Sequence, residues 1–392
     1  MHAVIRKRQG LPWEKEVSQG FSKNSTHLIQ VAAIPNFEPM AEDTLTLAHG
    51  VLAYPKLVRE INSPLLTLKQ KALNKMLEMT VASRHIASFL AVGCVAALNT
   101  AARDSDSEVK GMATNALARI AREDKGRQEL VAQQSVGVLL QCAADESAQV
   151  RLAAFEAVSW LAVTHEGMRA CYEAGFVKVT VDRCTEEGGE SEAQVQLAAL
   201  VALHALSKNN PGARAAIDCG AIEMCVKVLE HGTDAMCEQA GYCLTALTFD
   251  QLNKSTALAS DIMDPLILLL RSNKSLAVKM AAASALMSMT NGIRFEDGSN
   301  ACKKAAIDAG AVGALVPLLQ EGLAHERAGT MSHKTSALTV YVTKCIANLA
   351  DLVIGRKQLQ ACLKDLDILS KSNEPLVRKH ATIAVERVKW QP

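Results

Sequence analysis

The sequence has few aromatic residues and almost no net charge. Aromatics make up 4% of its 392 residues, although 49% of the residues are hydrophobic. The 42 Lys and Arg residues are balanced by 41 Asp and Glu residues, which gives a formal net charge of +1. Because no global field attracts polyanions, we expect neither a nucleic acid nor a membrane partner. The apolar content predicts a folded protein rather than a disordered chain.

Motifs for metal, nucleotide and nucleophilic chemistry are also missing. The sequence contains no CxxC, HExxH or HxH, and no GxxxxGK[ST], GxGxxG or GxSxG. We therefore expect no metal, no cofactor, no small-molecule substrate and no catalytic residues. An enzyme whose active site is built from dispersed residues stays open as an alternative, with no residue pointing to it.

Signals for secretion and for membrane insertion are absent as well. The eleven cysteines are an odd number and lie mostly in Ala/Val/Leu-rich text, which predicts buried free thiols in a reducing compartment. The apolar run "LASDIMDPLILLL" is short and is interrupted by Asp261, Asp264 and Pro265. We expect a cytoplasmic protein with no secretory leader.

What the sequence does contain is an internal repeat. Segments such as "AQVRLAAFEAVSWLAV" and "LAVKMAAASALMSMTN" align without gaps, and each places apolar residues on one helix face. A large apolar residue near the end of each copy recurs at intervals of 41, 41, 45, 41, 42, 60 and 39 residues. We call these the ruler residues: Met76, Leu117, Val158, Leu203, Leu244, Leu286, Ile346 and Val385. The period predicts eight helical units that bury their faces by stacking.

A short phrase marks a turn inside each unit. "DCGAIEMCVKVLEHG" begins at Asp218, and "DAGAVGALVPLLQEG" begins at Asp308. Glycine adopts left-handed backbone geometry cheaply, so the phrase predicts a sharp turn between two helices. The predicted turn positions are Gly50, Gly93, Ser135, Gly175, Gly220, Asp261 and Gly310. Each unit is then a short helix, the turn, an apolar second helix, a polar loop and a long third helix.

This three-helix order resembles that of armadillo repeats. The phrases "GAVGALVPLLQEG" and "NPGARAAIDCGAIEMCVKVL" are similar to that family's glycine and leucine-leucine core, and the resemblance runs from Thr44 almost to the C-terminus. It implies an all-α fold, an armadillo-type right-handed α-solenoid of about eight repeats over residues 44–392. Residues 1–43 contain Pro12, Pro35 and Pro39 in polar text, which predicts an extended N-terminal arm.

The first third of the chain also resembles the armadillo proteins of ciliary radial spokes. "LLTLKQKAL", "GCVAAL" and "DSDSEVKGMATNAL" carry this resemblance. It implies a non-enzymatic structural protein of the cytoplasm and cytoskeleton, in the axoneme of a cilium or flagellum. Its partners would be radial spoke and axonemal components, with tubulin of the doublet microtubules as a candidate, and the chain would be a monomer within a hetero-assembly. The alternative is a soluble armadillo adaptor that binds peptides or proteins in signalling, trafficking or nuclear transport.

The third helices supply candidate partner-binding residues. The importin-like branch of the armadillo family repeats a Trp and, four residues on, an Asn that holds an extended peptide. Here the Asn-equivalent positions, which we call the inner row, are Glu78, Arg119, Trp160, Ala205, Ala246, Ser288, Asn348 and Arg387. Only Asn348 matches, and a periodic backbone needs a periodic row of amides, so a nuclear-cargo function is disfavoured. The charged and aromatic members of the row fit a folded partner instead, with Trp160 as an interface anchor or as a half-buried residue between repeats.

Three other segments depart from the repeat. The arm contains four candidate binding residues, Arg6, Lys7, Arg8 and Trp13. We predict either that these residues dock the arm on a partner or that the arm is a frayed tail. The acidic loop at residues 183–194 is predicted to be a solvated connector. The longest unit has insertions at residues 294–303 and 321–335, which are predicted to be surface loops with a binding role. The second insertion supplies the candidates His325, Arg327 and His333.

Overall fold

The computed structural model describes residues 48, 50–187, 189–292 and 297–390 of the chain. Every regular element in these residues is a helix, so the predicted all-α solenoid is confirmed. The arm predicted for residues 1–43 lies outside the described residues. So do its candidate binding residues Arg6, Lys7, Arg8 and Trp13.

The helices fall into eight units, the first with two α-helices and each of the others with three. In chain order they are α1 (Ala53–Ile61) and α2 (Leu66–Met79); α3 (Ser83–Ala91), α4 (Cys94–Ala101) and α5 (Ser107–Ala121); α6 (Asp124–Ala132), α7 (Ser135–Ala143) and α8 (Ala148–Leu161); α9 (His165–Glu173), α10 (Phe176–Asp182) and α11 (Ala193–Leu206); α12 (Asn210–Asp218), α13 (Ala221–His231) and α14 (Asp234–Leu247); α15 (Gln251–Ala259), α16 (Met263–Arg271) and α17 (Leu276–Thr290); α18 (Asp297–Asp308), α19 (Ala311–Ala328) and α20 (His333–Leu349); α21 (Val353–Leu359), α22 (Leu363–Leu369) and α23 (Pro375–Lys389). Single 3-10 turns lie at Gly50–Leu52 and Gln360–Cys362.

The third helices form a continuous layer. Each third helix packs against the third helix of the next unit, and α2 takes this position in the first unit, which has two helices. The helices that do so are α2, α5, α8, α11, α14, α17 and α20. Small residues allow the backbones to approach closely. Gly241 of α14 shows a close approach, because an added Cβ there would lie 2.8 Å from the Cβ of Ala281 in α17. The core is therefore shared between neighbouring units, as a stacked array requires.

Charged pairs connect the first four units at a repeated position. The residue seven positions before the ruler residue reaches an acidic side chain in the loop that leads into the next third helix. Lys69 lies 2.6 Å from Asp104, and Lys110 lies 2.5 Å from Asp145. These partly exposed pairs align consecutive units, although each contributes little to stability by itself.

The same position in α8 holds a buried version of this pair. Arg151 Nε and Nη2 donate to Glu190 Oε2 and Oε1 at 2.6 and 2.8 Å. Burial raises the pKa of the Glu190 carboxyl, but hydrogen bonds from Arg151 and from the backbone N–H of Glu192 bring it below its ordinary value. The prediction of a solvated connector at residues 183–194 is thus wrong for Glu190, which is 0% exposed. The extra length of this loop lets the carboxylate fold inward onto Arg151.

Left-handed backbone geometry marks the turn between the first and second helices. The residues with positive φ at this turn are Gly93, Gln134, Gly175, Gly220, Asp261 and Gly310. Their intervals are 41, 41, 45, 41 and 49 residues, in agreement with the predicted period. The position predicted at Ser135 lies one residue too late, because Gln134 takes the left-handed conformation with φ 53°.

Replacing Gln134 by glycine is expected to raise the free energy of unfolding. A left-handed conformation costs an L-residue about 1–2 kcal/mol, and glycine loses part of that gain to backbone entropy. We expect a net stabilisation of about 0.5–1 kcal/mol in urea denaturation followed by circular dichroism. The neighbouring Gln133, with φ −86°, is the control, since glycine there should be neutral or destabilising. A loss of stability in the Gln134→Gly variant would contradict the strained-turn interpretation.

The second insertion of the seventh unit is mostly helical. Its first eight residues continue α19 to Ala328, where Gly329 ends the helix with φ 64°. The added turns pack on α20, since a Cβ at Gly322 would lie 2.4 Å from Thr339 Oγ1. The prediction of a surface loop over residues 321–335 is therefore wrong for most of its length. Residues 294–296 of the first insertion lie outside the described residues. Residues 297–303 belong to α18, where Lys303 is fully buried, so the surface-loop prediction is wrong for this part as well.

All eleven cysteines are free thiols, and all but the partly exposed Cys219 are buried, as predicted. Burial raises the pKa of Cys171 to about 12. Within the described ranges no single helix has the length and apolar character needed to cross a membrane. The bent pair α3 and α4 meets those criteria by length and composition only.

Candidate protein-binding groove

The inner row ties neighbouring third helices together. At four of its positions the side chain donates a hydrogen bond to a backbone carbonyl of the preceding unit. That carbonyl always belongs to the residue just before the inner-row member of the preceding unit. The bonds are Arg119 Nη1 to Leu77 O at 2.5 Å, Ser288 Oγ to Thr245 O at 3.0 Å, Asn348 Nδ2 to Met287 O at 3.5 Å and Arg387 Nη1 to Ala347 O at 3.4 Å. These side chains satisfy carbonyls near the C-terminal ends of third helices.

Asn348, the one match to the peptide-binding asparagines, is occupied in this way. Its amide also donates to Thr290 Oγ1 at 3.3 Å, and its side chain accepts from Arg387 at 3.5 Å. The residue is only 9% exposed. Its hydrogen-bonding capacity is therefore spent inside the solenoid, in keeping with the absence of an amide ladder in the sequence.

Several polar side chains of the later third helices, from α11 onward, pair with one another between units. Thr245 donates to Ser284 at 3.2 Å across the α14–α17 interface, and Tyr242 stacks on His204 with ring centroids 5.9 Å apart. Burial lowers the pKa of His204 to about 4, with a smaller contribution from the Lys208 charge, so this imidazole is neutral at pH 7. The polar groups here pair with one another between units.

An open groove remains on α2, α5 and α8. One cleft has a volume of 470 Å³ and a second has a volume of 390 Å³, and both are lined by Asn115 and Glu156. The two clefts are therefore contiguous. The first extends to the α2–α3 turn at Thr80 and Val81, and the second extends to the start of α5 at Glu108.

The groove is lined by three carboxylates, and the aromatic ring of Trp160 lies near it. Its lining includes the carboxylates of Glu108, Glu123 and Glu156. Two arginines also line it. The Arg119 guanidinium bonds to Leu77 O and to Asn115 Oδ1, and the Arg122 guanidinium lies near the Trp160 ring. Carboxylates next to an indole face suit a cationic side chain.

Trp160 of α8 lines neither cleft, but it lies next to Arg122, which lines the first one, and it is 40% exposed. The guanidinium carbon of Arg122 lies 6.0 Å from the centroid of its ring. The indole is thus half-buried by its neighbours and keeps part of its face open, while its role as an interface anchor stays a prediction. Glu78, the first member of the inner row, is exposed and accepts from Lys75 at 2.7 Å.

The remaining candidates lie elsewhere. His325 Nδ1 hydrogen bonds with Thr330 Oγ1 at 3.0 Å and so helps to close the end of α19. Arg327 and His333 are exposed on either side of the α19–α20 turn. None of the three lines either cleft. The structure therefore separates a groove on α2, α5 and α8 from a polar corner at the end of α19.

Sequence reasoning missed a buried ionic cluster near the C-terminus. Lys303 Nζ lies 2.8 Å from Asp351 Oδ2, and Arg387 Nη1 lies 3.4 Å from the same oxygen. Lys303 lies three and four residues before the buried Ala306 and Ile307, so the sequence spacing places it on the buried face of α18. This spacing could have predicted the burial of Lys303. In the described part of the chain, no group of three His, Cys, Asp or Glu side chains is placed to hold a metal ion.

No family model matches the chain, and no curated protein matches it. Solved structures do. An engineered protein from the Northeast Structural Genomics Consortium is 24% identical to this chain, with a TM-score of 0.76. The match covers 87% of this chain and 79% of the engineered protein. A computationally designed armadillo repeat protein for modular peptide recognition is 23% identical with a TM-score of 0.56, and covers 60% of this chain and 99% of its own.

The fold is that of armadillo repeat proteins. A further designed armadillo repeat protein, solved in complex with the peptide (KR)4, is 22% identical with a TM-score of 0.57, and covers 60% of this chain and 99% of its own. At these identities the similarity establishes the armadillo fold alone. It does not bear on the radial spoke resemblance.

Proposed function

We propose that this armadillo chain is a non-enzymatic scaffold that binds other proteins, and that the groove on α2, α5 and α8 is its binding surface. The observation that carries the proposal is the contrast along the third-helix layer. The groove keeps exposed carboxylates with a partly exposed indole nearby, whereas several polar side chains of the later units bond to one another. Solenoids offer such extended surfaces to partners.

The partner segment that fits the groove is extended and carries Lys or Arg. Glu108 and Glu156 are exposed on neighbouring third helices, and adjacent helices lie about 8–10 Å apart. Alternate residues of an extended chain face the same side about 7 Å apart, so in a segment in which every residue is Lys or Arg a cationic side chain lies near each carboxylate. The designed armadillo protein solved with the peptide (KR)4 supports this kind of ligand.

Charge reversal of the groove should weaken such binding. With a labelled (KR)4 peptide and fluorescence anisotropy at low salt, the Glu108→Lys/Glu156→Lys variant is expected to bind at least about tenfold more weakly than the parent chain. Trp160→Ala should weaken binding by about threefold to tenfold through loss of its cation–π contact. Both sites are partly exposed, so helicity by circular dichroism should not change.

Glu321, which is exposed on α19 outside both clefts, provides the matched control. Glu321→Lys should leave peptide affinity unchanged to within about twofold, since long-range charge effects are screened. If Glu321→Lys weakens binding as much as a groove reversal does, the peptide senses only overall charge. The groove is then not the site.

We further propose that the scaffold works in the ciliary axoneme, as the resemblance of its first third to radial spoke protein fourteen implies. Its partners would then be radial spoke components, with doublet tubulin as a candidate. A tagged full-length chain is expected to localise along axonemes and to stay with them through salt extraction. Localisation to the cell body of a ciliated cell, with recovery as a peptide-bound soluble monomer, would instead support the adaptor alternative.

A further inference from the structure

A second surface lies along the edge at which the third helices end. The residue five positions after each ruler residue occupies this edge, in the turn into the next unit. Over the first five units these residues, which we call the rim, are Val81, Arg122, Val163, Lys208 and Phe249. Apolar and basic side chains thus alternate from one unit to the next.

The apolar members of the rim are unusually exposed. Val81 is 80% exposed, Val163 is 62% exposed and Phe249 is 79% exposed. Leu252, which follows Phe249 at the start of α15, is 70% exposed and widens the apolar surface there. Single exposed apolar residues are normal, but a regular row of them on one edge indicates a contact surface.

At Arg122 the rim contacts the third helix of the next unit. Arg122 of the second unit reaches the ring of Trp160 in the third unit at 6.0 Å. Gln251, two residues after Phe249, donates to the carbonyl of Asn291 at 3.2 Å and so ties the start of α15 to the end of α17 within the sixth unit. Arg122 and Lys208 are both exposed, so the charge that the rim offers is positive. A partner of complementary chemistry is acidic and carries apolar side chains at intervals.

The spacing of the rim selects the shape of that partner. Packed helices lie about 8–10 Å apart, and seven residues of an α-helix rise about 10.5 Å. Side chains one heptad apart therefore meet successive rim positions from one helix face. An extended strand covers the same distance in about three residues, which places successive side chains on opposite faces.

We propose that the rim of the first five units docks an acidic amphipathic α-helix of a partner protein. The helix presents apolar side chains two heptads apart to Val81, Val163 and Phe249, and Glu or Asp at the intervening heptad positions to Arg122 and Lys208. Five units correspond to a helix of about 29 residues. The rim meets the groove at Val81 and Arg122, which also line the first cleft, and runs away from it through Val163, Lys208 and Phe249. The inference does not depend on the proposed function.

A synthetic helix tests this docking on the full chain. The probe is a labelled Ala- and Gln-rich helical peptide of about 29 residues with Leu and Glu at alternate heptad positions. Saturable binding by fluorescence anisotropy is expected, and Phe249→Ser and Lys208→Glu should each weaken it by about tenfold. Leu268→Ser is the matched control, because Leu268 is 66% exposed on α16, away from the rim.

A second peptide with Lys in place of the Glu residues should bind at least about tenfold more weakly than the first. The proposal is overturned if neither peptide binds saturably, or if Leu268→Ser weakens binding as much as Phe249→Ser. It is also overturned if phosphatidylserine vesicles bind the chain through Phe249 and Lys208 while the acidic helix does not. That last result would assign the rim to an anionic membrane.

Discussion

Replacing Asp351 by asparagine is expected to lower the free energy of unfolding by about 3–5 kcal/mol. The carboxylate is 6% exposed and lies 2.8 Å from the ammonium of Lys303, which is 0% exposed. Without the negative charge, the buried Lys303 ammonium loses the partner that offsets its desolvation. Urea denaturation followed by circular dichroism measures the loss.

Two comparisons separate this cause from a general effect of removing charge. Lys303→Met in the Asp351→Asn background should recover much of the loss, since an apolar side chain needs no counter-charge. Asp104→Asn removes the partner of Lys69 at a site where the two side chains are 15% and 22% exposed, and should cost less than about 1 kcal/mol. Equal losses for Asp351→Asn and Asp104→Asn would contradict the account of a buried ion pair.

Replacing Gly167 by alanine is expected to cost about 3 kcal/mol. A Cβ at this residue of α9 would lie 2.1 Å from the carbonyl oxygen of Leu161, at the end of α8, so backbone must move. In other units the same junction lies nine residues after the ruler residue of the preceding unit. There Gly126, Gly212 and Gly355 would place a Cβ at 1.9, 2.0 and 2.2 Å from the equivalent carbonyl oxygens. Thermal and urea melts of Gly167→Ala measure the effect.

The control is Gly137→Ala in α7, where an added Cβ meets no atom within 4 Å. Alanine there should stabilise the chain by about 0.5–1 kcal/mol, because glycine is a poor helix former. The sixth unit places Asn253 at the junction position, and its side-chain amide donates to Leu247 O at 2.9 Å. Similar stabilities for Gly167→Ala and Gly137→Ala would show that the junction is not tightly packed.

The period and composition of the sequence were enough to predict the fold, because each unit repeats one helix pattern and no other arrangement buries all the apolar faces. Local details were less predictable. Gln134 holds the turn in place of Ser135, since the phrase there lacks its glycine and the structure tolerates strain at that point. Residues 321–328 are helical because nothing in their sequence breaks α19 before Gly329.

The candidate groove was only partly predictable. Sequence reasoning placed Trp160 and Arg119 on the third-helix face, but it could not show that Asn348 and Arg387 bond to the preceding unit. Those bonds depend on the offset between neighbouring helices, which a single sequence does not encode in any readable spacing. The burial of Glu190 depends in the same way on how the loop at residues 183–194 folds back onto α8.

Hydrogen exchange of the full chain with and without the (KR)4 peptide tests the central claim most directly. If the scaffold binds through its open groove, peptide should slow amide exchange in α2, α5 and α8 and leave α17, α20 and α23 unchanged. Protection confined to α17, α20 and α23, or no protection at a saturating peptide concentration, would contradict the assignment of the groove.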